Sequence, residues 1–415
     1  GSAKKRGRPW GSVKGKADNK HPRGCGRRQR KIHRLTISKE STAFRRNSLA
    51  FADIREKQNP LVRRAQCNHH YAVATLAAGA NIAAAAEFFF KYTLGLLVAV
   101  HIFLAESAVA VRETEKRVEA GAEVVLELTI EANPDDVTDN WADGVIQAAS
   151  PYCSPRISMG VQTFDDQLLK LIGRRHTAHQ AIDAVNLLKG KGIGEISIDL
   201  MYGLPGGTTA CWQRDLDTAI RLKVPHISAY HLIYEEGTPL WQMKQRGEVN
   251  EADEDDSVAF FRMVRKTLID AGYEHYEISN FSLPGHHAIH NSSYWDSVPY
   301  IGIGPGAHSF DGIRRSWNRP DLIGYLKGNR GSESELRTDD ERYDEYIMTR
   351  LRTARGISLS EIEALFGTEK RRYCALRAQT YLKSHRLHET SNGRMAFTEE
   401  GIFVSDGIIT DLFSE

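Results

Sequence analysis

Several residues carry chemistry that the runs around them do not need. Glu131, Gln162 and Asp199 each stand at or near the end of a run of aliphatic and β-branched residues, and the backbone near Ile233 closes a fourth such run. Polar groups that finish buried parallel strands collect at one end of the sheet, which is where ligands bind in such folds. Any one of them caps a strand or helix as readily as it binds something; four together make a site. A second cluster lies at 273–318, where Y-E-H-Y-E-I-S-N-F, H-N-S-S-Y-W (His290 to Trp295) and G-I-G-P-G-A-H-S-F (with His308) combine aromatic, His and Gly residues without helical periodicity. That composition predicts loops lining a pocket. G-I-G-P-G lacks the Lys-Ser/Thr of a phosphate loop, and no helical pattern follows it. The five cysteines (Cys25, Cys67, Cys153, Cys211 and Cys374) are widely spaced and contain no C-x-x-C. They fit a reducing compartment and give no zinc site.

The elements that must position these residues follow a regular rhythm from Val124 onward. Val124 to Ile130 is a strand pattern closed by the turn signal Glu131-Ala132-Asn133-Pro134, and Arg156 to Gln162 is a second strand. Asp165 is placed to cap a helix with Leu168, Leu169, Leu171 and Ile172. Thr177-x-x-Gln180 is a capping box for the next helix, which Gly190 closes. A strand over 195–202, a helix over 209–222 and a strand over 226–233 follow. Strand and helix alternating in this way imply parallel strands joined by right-handed crossovers, in a doubly wound sheet or a (β/α) barrel. Beyond residue 330, amphipathic segments at 340–353, 359–366 and 369–384 precede a hairpin at Asn392-Gly393, a dipeptide that favours a type I′ turn. Helices followed by such a hairpin resemble a winged-helix module. The acidic content there favours packing over DNA contact.

Length and composition set the class. A chain of 415 residues, 41% hydrophobic and 26% charged, is long enough for two or three globular domains. The net charge of +2 hides an asymmetry: residues 1–50 hold 16 Lys/Arg against Asp18 and Glu40, a local +14, so the remainder carries −12. Residues 1–70 are read as a basic, disordered segment and 71–123 as an apolar, Ala-rich one. K-R-G-R-P at 5–9 resembles a minor-groove hook, but one such motif in a charge run is weak ground for DNA binding. The apolar run from Tyr92 to Ala105 is 14 residues, shorter than the roughly 20 of a membrane span, and is read as a buried helix. The Arg-rich, acid-poor start also fits a mitochondrial transit peptide, so a cytoplasmic or a mitochondrial location stays open.

Taken in order, E-A-N-P-D-D, R-I-S-M-G-V-Q-T-F, S-I-D-L-M-Y-G-L-P-G, I-S-A-Y-H-L-I-Y-E-E-G-T-P, Y-E-H-Y-E-I-S-N-F, H-N-S-S-Y-W and G-P-G-A-H-S-F resemble the HemW-type proteins. These are radical S-adenosylmethionine (SAM) haem chaperones related to oxygen-independent coproporphyrinogen III oxidase. The resemblance runs from about Glu127 to the C-terminus. It implies an α/β fold: a partial (β/α) TIM-like barrel of the radical SAM type over 124–330, then a helical, winged-helix-like domain over 331–415. It implies SAM contacts at Glu131, Gln162, Arg174, Asp199 and the backbone near Ile233. It also implies haem as ligand, with His290 as axial donor and His308 as second candidate, while Tyr294 and Trp295 pack on the porphyrin. The family's [4Fe–4S] cluster hangs on a C-x-x-x-C-x-x-C that this sequence lacks, and its first two barrel strands are missing or replaced from within 70–120.

The expectation is therefore a haem-binding chaperone of haem trafficking or porphyrin metabolism, with haem and haem-accepting proteins as partners; whether it is an enzyme stays open. The alternatives are an oxygen-independent coproporphyrinogen III oxidase, which needs the cluster, and a nucleic-acid-binding protein using the basic tail. The acidic remainder of the chain argues against the latter.

Overall fold

The computed structural model describes residues 100–103, 128–149, 154–328 and 331–414. The expectations for 1–70, and for all of 71–123 except 100–103, lie outside these residues.

Two sheets and a helical module carry the fold. The first sheet contains β2 (Leu128–Ala132), β3 (Pro155–Gln162), β4 (Ile196–Tyr202), β5 (His226–His231), β6 (Glu274–Glu277) and β7 (Asn280–Ser282) in the order β2-β3-β4-β5-β7-β6. β2 to β5 are parallel, while β7 joins β5 and β6 antiparallel. The crossovers are α1 (Asp139–Ala149), then α2 (Asp166–Leu171) with α3 (Ala178–Gly190), then α4 (Thr209–Leu222). α5 (Pro239–Gln245) and α6 (Glu254–Asp270) follow β5. The Asp165 cap and the Thr177/Gln180 capping box both form as the sequence predicts. The strand and helix rhythm left a doubly wound sheet or a (β/α) barrel open, and this arrangement agrees with the partial barrel that the family resemblance implied.

Alternation along the strands divides the sheet into two unlike faces. One face carries Ile130, Ile157, Met159, Val161, Ile196, Ile198, Leu200, Ile227 and Phe281, and packs on Val185, Leu188, Trp212, Leu216, Val264 and Leu268 of the helices. Each fully buried aliphatic side chain contributes about 1.5–3 kcal/mol, so this face holds the barrel together. The opposite face carries Thr129 and Glu131, Arg156 and Ser158, Ser197 and Asp199, His226, Ser228 and Tyr230, then Asn280 and Ser282. Most of this face is buried and bonded within itself, as Arg156 is to Glu195 and Ser197 to His226, while Glu131, Ser158, Asp199 and Tyr230 keep some accessible surface.

The second sheet was not foreseen. β1 (Val100–Phe103), β8 (Tyr300–Ile303), β9 (His308–Phe310), β10 (Arg314–Asn318) and β11 (Ser332–Leu336) form it in the order β1-β8-β9-β10-β11. Val100–Phe103, read as part of a buried helix, is instead a strand antiparallel to β8. It therefore supplies an edge to this sheet and does not replace a missing barrel strand. The stretch 273–318, read as pocket loops, is mostly short strands plus α7 (Ile289–Trp295). Strands of three to five residues are too short to show alternation, which explains the misreading. α8 (Leu322–Leu326) precedes β11.

The C-terminal elements are α9 (Asp339–Leu351), α10 (Leu359–Lys383), β12 (Leu387–Glu389), β13 (Met395–Phe397), α11 (Glu399–Phe403) and α12 (Ser405–Leu412). Gly367, at φ 87°, breaks α10 where the sequence separates two helices. Tyr343, Ile347, Ile357, Ile362, Ala378, Leu387 and Ile409 form a core of their own. The β12–β13 hairpin turns over 390–394 with Gly393 alone at positive φ, so it is not the type I′ turn that Asn-Gly favours. Thr390 donates and accepts across a longer loop and decides its geometry.

Candidate functional site

Glu131 stands one residue before the end of β2 with its side chain on the polar face, and Asp199 lies two strands away on the same face. Register sets Glu131 beside Ser158 and Asp199 beside Ser228. Both acids are surrounded by protein yet keep part of their surface accessible, as side chains lining a cleft do. Burial, then the nearby Asp199, pushes the Glu131 carboxyl up to about 7. Burial pushes Asp199 up to about 6, against the pull of a Ser228 hydrogen bond and the Arg174 charge.

Arg174 arrives from the loop after α2. Burial lowers its pKa, while Asp199 and Asp135 favour its charge. Its Nη1 donates to Asn133 Oδ1 at 3.1 Å, and the adjacent Arg175 pairs with Asp135 at 2.8 Å. The E-A-N-P-D-D loop therefore orients both arginines, a role beyond the turn signal read from the sequence. Gly160, inside β3, makes room for the Gln162 amide: a Cβ there would lie 2.9 Å from Gln162 Nε2, while Arg174 Nη2 at 3.7 Å would be in ordinary contact. A glycine in a strand interior marks a close approach of this kind, and that signal was present in the sequence. Gln162 is held at φ +68° at a bulge against β4.

Glu131, Gln162, Arg174 and Asp199 thus come from three parallel strands and one loop; Gln162 closes β3, but Asp199 lies mid-strand in β4 and does not end it as the sequence suggested. Ile233 stands two residues past β5 with a 55% exposed side chain, so only its backbone can serve a ligand. Asp199 and Asp135 act on the Arg174 guanidinium, and Glu131 adds a further acid near Asp199. The complement is a zwitterion with additional positive charge: an ammonium against the acids and a carboxylate on Arg174.

The histidine readings separate. His290 is buried on α7, edge-on to Tyr294 at 5.0 Å. Tyr294 is edge-on to Tyr300, and its hydroxyl is held well above its usual pKa by burial, Tyr300 and the Glu131 carboxyl. One ring therefore links His290 to the acid cleft. His308 is on β9 of the second sheet, stacked on Trp317 at 5.8 Å, and burial and Arg315 keep it neutral. His286 and His287, read as solvated, are partly exposed and also hydrogen-bonded, to Glu195 at 2.8 Å and to Glu274 at 2.9 Å. Sequence reading also missed Tyr230 and Glu277, which extend the polar face. Burial pushes Glu277 up to about 7, and Tyr230 lies within reach of both Asp199 and Glu277.

Residues 83–219 match the Radical SAM superfamily, and residues 338–404 match the HemN C-terminal domain. The first match starts ahead of Glu127, where the sequence resemblance was placed. The chain is 37% identical to heme chaperone HemW of Lactococcus lactis over 247 residues, 59% of this chain and 64% of that protein. It is 30% identical to heme chaperone HemW of Mycobacterium tuberculosis over 293 residues, 69% of this chain and 71% of that protein. The chain belongs to the HemW family. It spans 64% of the length of the Lactococcus lactis HemW. Coproporphyrinogen III oxidase (HemN) from Escherichia coli shares its fold, with a TM-score of 0.58 at 14% identity over 86% of this chain and 94% of that one.

Membership in a radical SAM family implies SAM and a [4Fe–4S] cluster. The charges suit SAM: its ammonium would meet the Glu131/Asp199 pair and its carboxylate Arg174, whose guanidinium lies with the Gln162 amide over Gly160. The cluster does not fit this chain. No C-x-x-x-C-x-x-C occurs in the 415 residues. Cys211, on α4, receives an Arg214 N–H at 3.0 Å, and Cys374 is buried with burial pushing its thiol up to about 11. Among the described residues no three His, Cys, Asp or Glu side chains are grouped to hold a metal ion, and no helix is long and apolar enough to cross a membrane.

Proposed function

We propose that this chain is a haem-binding chaperone that holds SAM in the polar cleft and haem beside α7, and passes haem to acceptor proteins. The observation that carries the reading is Tyr294, which touches the His290 ring on one side and neighbours the Glu131 carboxyl on the other. Binding at either position is felt at the other through a single side chain. His290 serves as the axial donor, with His308 as the second candidate. Glu131, Gln162, Arg174 and Asp199, with the backbone at Ile233, hold SAM by hydrogen bonds and charge, with no step through a cluster. The widely spaced cysteines suit the cytoplasm. Conversion of coproporphyrinogen III gains no support, because the thiolates that the radical chemistry needs are not found together.

Haemin titration tests this. The wild-type chain is expected to give a saturable Soret shift, His290→Ala to weaken it at least tenfold, and the exposed His388→Ala to leave it unchanged. Equal titrations for wild type and His290→Ala remove the ligand assignment. No saturable binding removes the chaperone reading.

A further inference from the structure

Gln162 has a backbone conformation that its side chain makes costly. Its φ of +68° belongs to glycine, and Thr163 N–H donates back to Val161 O at 2.9 Å, closing a three-residue γ-turn around it. A glycine would sit there without strain, so keeping glutamine indicates a use for its side chain. Such strain persists only where the flanks are over-determined, and here they are. Asp215, on the covering helix α4 and only 4% exposed, accepts from Thr163 Oγ1 at 2.7 Å and from Phe164 N–H at 2.8 Å. Thr163 Oγ1 in turn accepts from Asp165 N–H at 3.1 Å, and Asp165 caps α2. On the other flank the buried His176 lies with Nε2 3.1 Å from Val161 O, tying the loop that carries Arg174 to the same turn.

Asp215 approaches from the helix layer, where its two carboxylate oxygens meet Thr163 and Phe164. A buried carboxylate is expensive to desolvate, and its two acceptor bonds are both spent on the two residues that follow Gln162. We infer that Asp215, with Thr163, is a positioning clamp that holds the Gln162 turn in its strained form and so aims the Gln162 amide at the adenosyl ligand. His176 keeps the Arg174 loop in step with it. The inference rests on the SAM-binding reading above, but the clamp itself is a property of the empty protein.

The test therefore has a ligand arm and a ligand-free arm. By calorimetric titration with SAM, Asp215→Asn and Thr163→Val are each expected to weaken binding at least tenfold. Thr163→Ser, which keeps the hydroxyl, should bind within twofold of wild type. Haemin affinity should stay within twofold in all three, a split that general destabilisation would not produce. In the ligand-free arm, Gln162→Gly relieves the strain and is expected to raise the melting temperature in the wild-type background but not beside Asp215→Asn, where the turn has already relaxed. Additive melting shifts, or SAM binding that is undiminished in Asp215→Asn and Thr163→Val, overturn the clamp. If the wild type does not bind SAM while the melting shifts are coupled, the clamp stands and the SAM assignment falls.

Discussion

The molecule buries acids in two contrasting ways. In the barrel, Glu131, Asp199 and Glu277 stand on the polar face of the sheet with burial raising each one, and cationic help is confined to Arg174 for Asp199 and Arg352 for Glu277. Around α9 and α10 the acids are matched. Glu345 is gripped by Arg315 and Arg337 together. Asp296 takes Arg350 and Arg355. Burial alone would raise Glu361, but the Arg394 and Tyr346 hydrogen bonds hold it below its usual value. Acids paired within the protein serve the fold. Acids left raised inside a cleft cost stability and are retained where a ligand supplies the missing charge.

Removing a cation from the matched set should have the largest effect. Arg337→Ala leaves Glu345 with only Arg315 in a setting where the two side chains are 10% and 16% exposed. A loss of about 3 kcal/mol is expected, read by urea unfolding. A loss below about 0.5 kcal/mol would mean that the pair is not structurally coupled.

The barrel acids should show the opposite sign. Glu131 folded near 7 against 4.5 unfolded means that the folded state favours the proton. Stability is then fully present below about 4.5 and is lost as pH rises towards 7. Glu277 acts over the same range, and Asp199 from 3.8 to about 6. Melting scans from pH 4.5 to 8 should fall across this window, and Glu131→Gln should flatten the fall, with a gain of about 1–3 kcal/mol at pH 8. A slope unaffected by Glu131→Gln would remove Glu131 from the set. Saturating SAM should flatten it too, because a bound ammonium favours the ionised acids.

A smaller loss, about 1 kcal/mol, is expected for Arg394→Met, since Glu361 is one-third exposed and also holds the Tyr346 hydroxyl. The smallest effect belongs to the solvent-facing pair Lys266–Asp270 on α6. Lys266→Ala should change stability by less than about 0.5 kcal/mol and calibrates the others.

Much of the barrel was legible from the sequence. The caps at Asp165 and Thr177, the helix at 209–222 and the polar strand ends depend on local spacing, and local spacing survived into the structure. The second sheet was not legible. β8, β9 and β10 are three to five residues each, and the pairing of β8 with Val100–Phe103 spans some two hundred residues of chain. The positive φ of Gln162 was also hidden, because no local signal separates a strained glutamine from one that ends a strand.

The sequence by itself determined which residues alternate, which cap, and that no C-x-x-x-C-x-x-C motif occurs, since these depend on residue type and on neighbours a few positions away. Only the tertiary structure decided that Asp199 raises Glu131, that Tyr294 stands near both His290 and Glu131, and that Asp215 accepts from the two residues that follow Gln162. Those are distances between residues far apart in the chain. Burial and electrostatics act through space, so no reading along the chain could have supplied them.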